Sequence, residues 1–322
     1  APTKTGEELA ATIPELTERI RVENLAQRPS VDMDFDVLER LRERVAAHDV
    51  GVVVTHGTDT MSESAYYVDL LRDSGVPVVF TGAQRRPDQP GADGPANLVA
   101  AVTAVEQQAV RSAGGVYVCL NGELHAARTV VKGHAWRPDT FESPGQGPVG
   151  AVAPGGFERY RELGSYSTTL PTAERPTGDV PIVTLGIGVG REAIDRALDA
   201  ECDGIVLQAT GLGNAPEPVA DAVADAVDAG VPASRQSTAV AEDTRSNSTA
   251  RCSLATSPRR KHGSNCSSRS NRRPPPPKPL PTIDRTLGCP VYNPASPMRP
   301  YVVNDRSIRV HIPRDRHPLR PR

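Results

Sequence analysis

The chain has 322 residues, of which 38% are hydrophobic, and no apolar run approaches the roughly 20 residues that span a bilayer, so an integral helical membrane protein is excluded. Five cysteines without a CxxC pair argue against a disulfide scaffold and against a zinc site. Residues 233–322 carry 18 basic and 5 acidic residues, a net charge of +13, whereas the other 232 residues carry a net charge of −15. We therefore interpret residues 1–232 and 233–322 as two structurally different regions of the chain. The acid excess of the first part is typical of proteins that work in concentrated salt.

The first 120 residues alternate between helical and extended patterns. Apolar residues at helical spacing predict helices at 7–16, 35–47, 65–73 and 95–108, and short β-branched runs predict buried strands at 50–55, 76–81 and 115–120. Strand–helix alternation with tight turns predicts an α/β fold, a three-layer αβα arrangement around a mainly parallel sheet.

The same alternation predicts two domains. Residues 1–156 form the larger N-terminal domain, and the Ser-, Thr-, Pro- and Gly-rich stretch 157–179 is interpreted as a linker. Residues 180–232 resume the rhythm, with strands expected at 182–185 and 204–207 and helices at 192–200 and 217–229. This second, smaller α/β domain is expected to be incomplete, because the apolar pattern stops after Pro232.

Residues 233–322 form a basic tail rich in Ser, Arg and Pro. Three interpretations are ranked in this order: translation in the wrong reading frame, a disordered segment, and a nucleic-acid-binding tail. The last is ranked lowest because residues 233–300 contain one aromatic residue, Tyr292, to stack on bases.

The segment most informative about chemistry lies at the end of the predicted strand 50–55, where the sequence runs His56-Gly57-Thr58-Asp59-Thr60 before a helix. Ligands bind at the carboxyl ends of strands in such sheets. Thr58 offers a hydroxyl nucleophile or donor, and Asp59 offers an anion that can hold an amino group. The alternative is a Ser/Thr/Asp cluster that caps the next helix.

This turn resembles the second signature of the bacterial-type L-asparaginase/glutaminase family. Further segments match the family in its order: PSVDM at 29–33, TGAQR at 81–85, ADGPANL at 92–98, NGELHAARTVVK at 121–132 and GLGN at 211–214. The resemblance covers residues 1–232.

The resemblance implies a catalytic constellation of Thr58, Asp59 and Lys132, in which the lysine cation lowers the cost of deprotonating Thr58 or orients a water. It also implies substrate binding by Ser30, which donates to the α-carboxylate, by Asp59, and by the backbone near Gly57, which stabilises the oxyanion. Asn214 lies in the loop expected to approach a neighbouring subunit's site. His56 is interpreted as a packed turn residue rather than a base.

The chain also departs from the family pattern. The first signature, a Thr-Gly-Gly-Thr-Ile strand end with the primary nucleophilic threonine, has no counterpart, and residues 1–6 correspond to the region just after it. No tyrosine occurs in residues 1–29 to match the mobile-loop tyrosine. The late acidic residue of the second domain is expected in the stretch that the basic tail replaces.

The function expected from the resemblance is an amidohydrolase, an L-asparaginase that converts L-asparagine, and more slowly L-glutamine, through a threonine nucleophile. The alternatives are an asparaginase-like subunit that releases ammonia for tRNA-dependent amidation, and a catalytically dead remnant or binding module. No metal and no organic cofactor are expected. The expected assembly is a homodimer or homotetramer in the cytoplasm, with no membrane and nucleic acid an unlikely partner.

Overall fold

The computed structural model describes residues 6–11, 13–17, 19–163, 169–170, 175–237 and 301–304. Within them the α-helices are α1 (Gly6–Ala11), α2 (Pro14–Thr17), α3 (Phe35–Ala46), α4 (Met61–Leu71), α5 (Gly94–Glu106), α6 (Gln108–Ala113), α7 (Glu192–Asp199) and α8 (Glu217–Asp228). The strands are β1 (Arg21–Asn24), β2 (Val52–Thr55), β3 (Val78–Thr81), β4 (Val116–Leu120), β5 (Glu123–Ala126), β6 (Val131–Lys132), β7 (Phe141–Glu142), β8 (Gly150–Ala153), β9 (Gly156–Arg159), β10 (Ile182–Thr184), β11 (Ile205–Ala209), β12 (Ala233–Ser237) and β13 (Tyr301–Asn304). A short 3-10 helix covers Ser30–Asp32.

The larger domain is built on one eight-stranded sheet with the order β1-β13-β2-β3-β4-β5-β8-β9. The first five strands of this order are parallel, and β5, β8 and β9 continue the sheet in antiparallel fashion. The predicted α/β class with a mainly parallel sheet is confirmed.

Side chains alternate between the two faces of the sheet and build a core on each. Val53 and Val79 belong to one core together with α5 and α6, while Val54 and Phe80 belong to a second core with α3 and α4. This alternation follows from the two-residue period of a strand, and it sandwiches the sheet between two helical layers.

The single helix predicted for residues 7–16 is wrong, because the structure contains two short helices, α1 and α2. Proline has no backbone N–H and disfavours a helical conformation in the residue before it. Pro14 therefore ends one helix and begins the next.

Strands β5 to β9 have no counterpart in the sequence prediction. Among the described strands, β6 and β7 pair only with each other, in an antiparallel two-stranded sheet that we call the lysine ribbon, with Lys132 opposite Phe141. β9 also includes residues 157–159, which the sequence analysis assigned to the linker 157–179. Residues 164–168 and 171–174 of that linker lie outside the described residues.

The smaller domain contains a parallel three-stranded sheet, β10-β11-β12, with α7 and α8 packed on its core. Its predicted end at Pro232 comes one strand too early, since β12 pairs with β11 along its whole length. β12 reads ASRQS, so its backbone pairing is not accompanied by an apolar pattern that sequence analysis could detect.

Two stretches of the predicted tail are therefore strands. Besides β12, the four residues of β13 lie between β1 and β2 and run parallel to both, with Tyr301 opposite Arg21 and Val52. The other tail residues, 238–300 and 305–322, lie outside the described residues, and the three interpretations of the tail stay open for them.

No helix in the described part of the chain is long and apolar enough to cross a membrane.

Candidate active site

The turn after β2 places Thr58 and Asp59 at the carboxyl edge of the sheet. β2 consists of four buried residues, and the backbone N–H of His56 continues its pairing by donating to Thr81 O of β3 over 2.8 Å. Gly57 must be a glycine because a Cβ at this position would lie 2.5 Å from Ser30 Oγ. The buried strand and this close approach fix where the turn leaves the sheet.

Lys132 reaches the same place from the lysine ribbon. Its Nζ donates to Thr58 Oγ1 over 3.0 Å and to Asp59 Oδ1 over 2.7 Å, although the two segments lie more than 70 residues apart in sequence. The structure thus brings together the three residues predicted to be catalytic.

The three side chains differ in their exposure. Thr58 is buried and the Lys132 side chain is 16% exposed, whereas the Asp59 side chain is 61% exposed. A charge-assisted hydrogen bond to a mostly buried hydroxyl is stronger than the same contact in water. The arrangement therefore polarises the Thr58 hydroxyl and leaves the Asp59 carboxylate accessible to a ligand from solvent.

Ser30 packs beneath the turn. Its Oγ accepts the Asp59 backbone N–H over 3.3 Å, and its carbonyl oxygen accepts the Thr60 hydroxyl over 2.6 Å. Ser30 is buried, and its hydroxyl hydrogen remains the group that could be donated to a carboxylate. The substrate-binding roles of Ser30 and Gly57 stay predictions.

Asn214 lies in the loop after β11, where its carbonyl oxygen accepts the Thr210 backbone N–H over 3.2 Å. Within the described residues no hydrogen bond or ion pair joins it to Thr58, Asp59 or Lys132. Its predicted role at a neighbouring subunit's site stays a prediction.

His56 is a packed turn residue, as predicted. Its buried ring donates from Nδ1 to Gly57 O over 2.6 Å and accepts the Ser64 hydroxyl at Nε2 over 3.0 Å, which fixes the turn to α4. Burial lowers the pKa of His56, since the charged ring would lose its hydration.

We expect His56 to make the fold less stable in acid. Its pKa is lower in the folded chain than in the unfolded chain, so as the pH falls through about 6.5 the unfolded chain takes up a proton that the folded chain does not. Each pH unit in this window lowers the free energy of unfolding by about 1.4 kcal/mol. Urea unfolding of His56→Asn between pH 7.5 and 5 should therefore show a weaker pH dependence than that of the unmodified chain.

The matched control is Ser64→Ala, which removes a hydrogen bond to the ring but keeps the titrating group. It should lower stability at both pH values and preserve the pH dependence. His48 and His125, whose pKa values burial also lowers, keep part of the dependence in every variant. An unchanged pH dependence in His56→Asn would contradict the assignment.

Gln84 is a site residue that the sequence analysis did not single out. The Thr58 hydroxyl donates to its Oε1 over 3.1 Å, so Gln84 contacts the oxygen that Lys132 also contacts. The available signal was its place in the TGAQR segment directly after β3, the strand beside β2.

Within the described part of the chain, no group of three or more His, Cys, Asp or Glu residues is placed to hold a metal ion.

Comparison with known families gives a match to each of the two domains. A family model described as "Asparaginase, N-terminal" matches residues 1–163, and one described as "Glutaminase/Asparaginase C-terminal domain" matches residues 179–259. The chain belongs to the asparaginase/glutaminase family. The family resemblance inferred from the motifs is confirmed.

Curated relatives within this family carry a more specific name. The chain is 32% identical to the D subunit of the glutamyl-tRNA(Gln) amidotransferase of Pyrococcus abyssi, over 71% of the chain and 56% of the relative. It is 35% identical to the protein of the same name from Methanothermobacter thermautotrophicus, over 56% and 43%, and 34% identical to that of Haloquadratum walsbyi, over 61% and 46%. The chain thus spans about half the length of the curated relatives it matches.

These names overturn the expectation of an L-asparaginase, which was wrong, and favour the amidotransferase alternative. The asparaginase/glutaminase motifs describe an amide-cleaving site, and nothing in them states whether the released ammonia is a product or is passed on. The expectation that nucleic acid is an unlikely partner is not supported either, since the relatives are named for a tRNA substrate.

Proposed function

We propose that this chain is the amide-cleaving part of the D subunit of a glutamyl-tRNA(Gln) amidotransferase, which releases ammonia from an amino-acid amide for transfer to the tRNA-bound glutamate. The observation that carries the chemistry is the contact of Lys132 Nζ with both Thr58 Oγ1 and Asp59 Oδ1. The names of the relatives favour this role over that of an independent hydrolase.

The proposed reaction uses Thr58 as the nucleophile. Oγ1 bonds to the amide carbonyl carbon and gives up its proton, while the Lys132 ammonium, whose Nζ lies 3.0 Å away, stabilises the negative charge that develops on Oγ1. The Asp59 carboxylate holds this ammonium in place. The leaving nitrogen takes up the proton as the C–N bond breaks, which gives ammonia and an acyl-threonine ester that water hydrolyses.

The other predicted residues bind the donor in this proposal. The exposed Asp59 carboxylate takes the α-ammonium, the Ser30 hydroxyl donates to the α-carboxylate, and the backbone near Gly57 faces the oxyanion. L-glutamine and L-asparagine both present an ammonium, a carboxylate and a terminal amide, so both are candidate donors.

The charge distribution indicates which part contacts the tRNA. Residues 1–232 carry a net charge of −15, which repels phosphate. We therefore place the tRNA away from residues 1–232, and we propose that the chain works in an assembly with other subunits and with copies of itself.

The test measures ammonia release by the full chain from L-glutamine and from L-asparagine. Each donor is assayed with and without glutamyl-tRNA(Gln) and the remaining subunits of the same amidotransferase. We expect amide cleavage that increases when both are added, and formation of glutaminyl-tRNA(Gln) in the complete mixture.

Two outcomes would overturn the proposal. Ammonia release that is indifferent to the tRNA and the other subunits, without glutaminyl-tRNA(Gln), would indicate an independent amidase. No ammonia release in any mixture would indicate the catalytically dead module.

A further inference from the structure

We propose that Gln84 is a positioning residue that holds Thr58 Oγ1 in both of its protonation states, as hydroxyl and as developing alkoxide. The inference rests on the proposed function, because it assigns a partner to the oxygen that attacks the amide. It concerns a side chain that neither the motifs nor the family comparison assigns to the reaction.

Lys132 and Gln84 both contact Thr58 Oγ1. Lys132 Nζ approaches this oxygen at 3.0 Å as a donor, and the hydroxyl hydrogen is directed to Gln84 Oε1 at 3.1 Å. The two contacts fix Oγ1 from two sides. An ammonium has only donors, so among these two partners Gln84 is the one that accepts the hydroxyl hydrogen.

The segment that carries Gln84 is itself fixed to the start of α5. Asp93 accepts the backbone N–H of Gln84 at 3.2 Å and that of Arg85 at 2.9 Å. Asn97 ties the same carboxylate to the end of β3, donating from Nδ2 to Asp93 Oδ2 at 3.1 Å and to Gly82 O at 2.9 Å. The backbone position of Gln84 is therefore determined by hydrogen bonds rather than by a free loop.

The other end of the Gln84 amide is buried without a partner among the described residues. Its Nε2 makes no hydrogen bond there, and leaving a buried donor unpaired is unfavourable. A half-turn of the terminal torsion exchanges the positions of Oε1 and Nε2, and this torsion has two nearly equivalent states. The unused N–H is therefore available to the same oxygen once that oxygen stops donating.

The two orientations of the Gln84 amide match the two protonation states of Thr58 Oγ1 during the attack on the amide. When Thr58 gives up its proton in the attack on the amide, Oγ1 changes from a donor into a strong acceptor, and Oε1 opposite it would become repulsive. A rotated amide presents Nε2–H instead and stabilises the developing negative charge. An amide is neutral in both orientations and takes no proton, so Gln84 supports Oγ1 without acting as the base.

The first test replaces Gln84 by methionine, which has a similar length and neither donates nor accepts strongly. We expect kcat for ammonia release in the full system to fall about 10- to 100-fold, the effect of losing one hydrogen bond to a charged group, with KM nearly unchanged. Gln108→Met, on the exposed surface of α6, is the matched control and should leave both constants unchanged.

The second test uses Gln84→Glu and its pH dependence. A protonated carboxyl has one donor and one acceptor and imitates the amide, whereas the carboxylate only accepts and repels an alkoxide. The activity of Gln84→Glu relative to the unmodified chain should therefore rise as the pH falls. A residue that only supports the fold would not produce this rescue.

The outcomes separate this inference from the proposed function. If the unmodified chain cleaves amides and Gln84→Met does so equally well, or if Gln84→Glu shows no rescue at low pH, the inference is wrong and the proposed function stands. If the unmodified chain releases no ammonia, the proposed function fails, and the side-chain amide resonances of Gln84 then decide. They should shift in Thr58→Val, and unmoved resonances would overturn the contact itself.

Discussion

Replacing Lys132 by methionine should reduce ammonia release by about 100- to 1,000-fold, the usual cost of removing one group that stabilises a developing negative charge, while the fold is retained. Methionine keeps much of the length of the side chain but loses its charge and its donors. Thr58 Oγ1 then loses the cation that polarises it, and Asp59 loses its ionic partner. Steady-state assays with both amide donors, together with a circular dichroism melt, would separate lost chemistry from lost structure.

Two further variants sharpen this prediction. Lys132→Arg keeps the charge but brings a planar fork in place of a point charge, so it should also be severely impaired. Arg137→Met, in the loop that joins the two strands of the lysine ribbon, removes an exposed cation paired with Asp139 and should stay active. Near-normal turnover by Lys132→Met would remove the lysine from the mechanism and with it the proposed Thr58–Asp59–Lys132 constellation.

Replacing Thr58 by valine should have an effect of similar size, because it removes the proposed nucleophile and preserves the side-chain volume. The substitution leaves Lys132 Nζ and Gln84 Oε1 without their shared partner, so we expect a stability loss of about 1–3 kcal/mol besides the loss of turnover. Turnover measured under conditions where the variant is fully folded isolates the chemical effect.

Thr58→Ser is the matched comparison, since it keeps the hydroxyl and loses only the methyl group. It should retain measurable turnover, reduced because the smaller side chain holds Oγ less firmly. Thr58→Val with an unchanged kcat and KM would mean that the hydroxyl takes no part in amide cleavage.

The central elements of the fold are readable from sequence because their packing requires apolar runs. Strands β2, β3 and β4 are buried along their whole length and appear as short continuous runs rich in β-branched and aromatic residues. β12 could not be predicted in the same way, because its ASRQS sequence gains its pairing through backbone hydrogen bonds to β11. The break between α1 and α2 was readable in principle from Pro14.

The candidate site was predictable only in part. The HGTDT turn can be found from its place after a buried strand, but the contact between Thr58 and Lys132 depends on how distant segments fold together, and only the family resemblance suggested it. Gln84 was missed because a glutamine in a loop carries no periodic signal and its role depends on one side-chain contact. The proposed amidotransferase role could not be chosen over the asparaginase from the sequence either, since the motifs indicate amide cleavage and not the fate of the ammonia.

The lysine ribbon has a consequence for how activity and folding are coupled. Lys132 sits on a pair of two-residue strands that are not part of the eight-stranded sheet, while Thr58 follows one of that sheet's most buried strands. Short, separately paired segments open at lower free energy than a central sheet, so we expect the ribbon to lose its pairing before the eight-stranded sheet unfolds. The two halves of the site therefore belong to regions of unequal local stability, and mild heat or denaturant should inactivate the protein before the core unfolds.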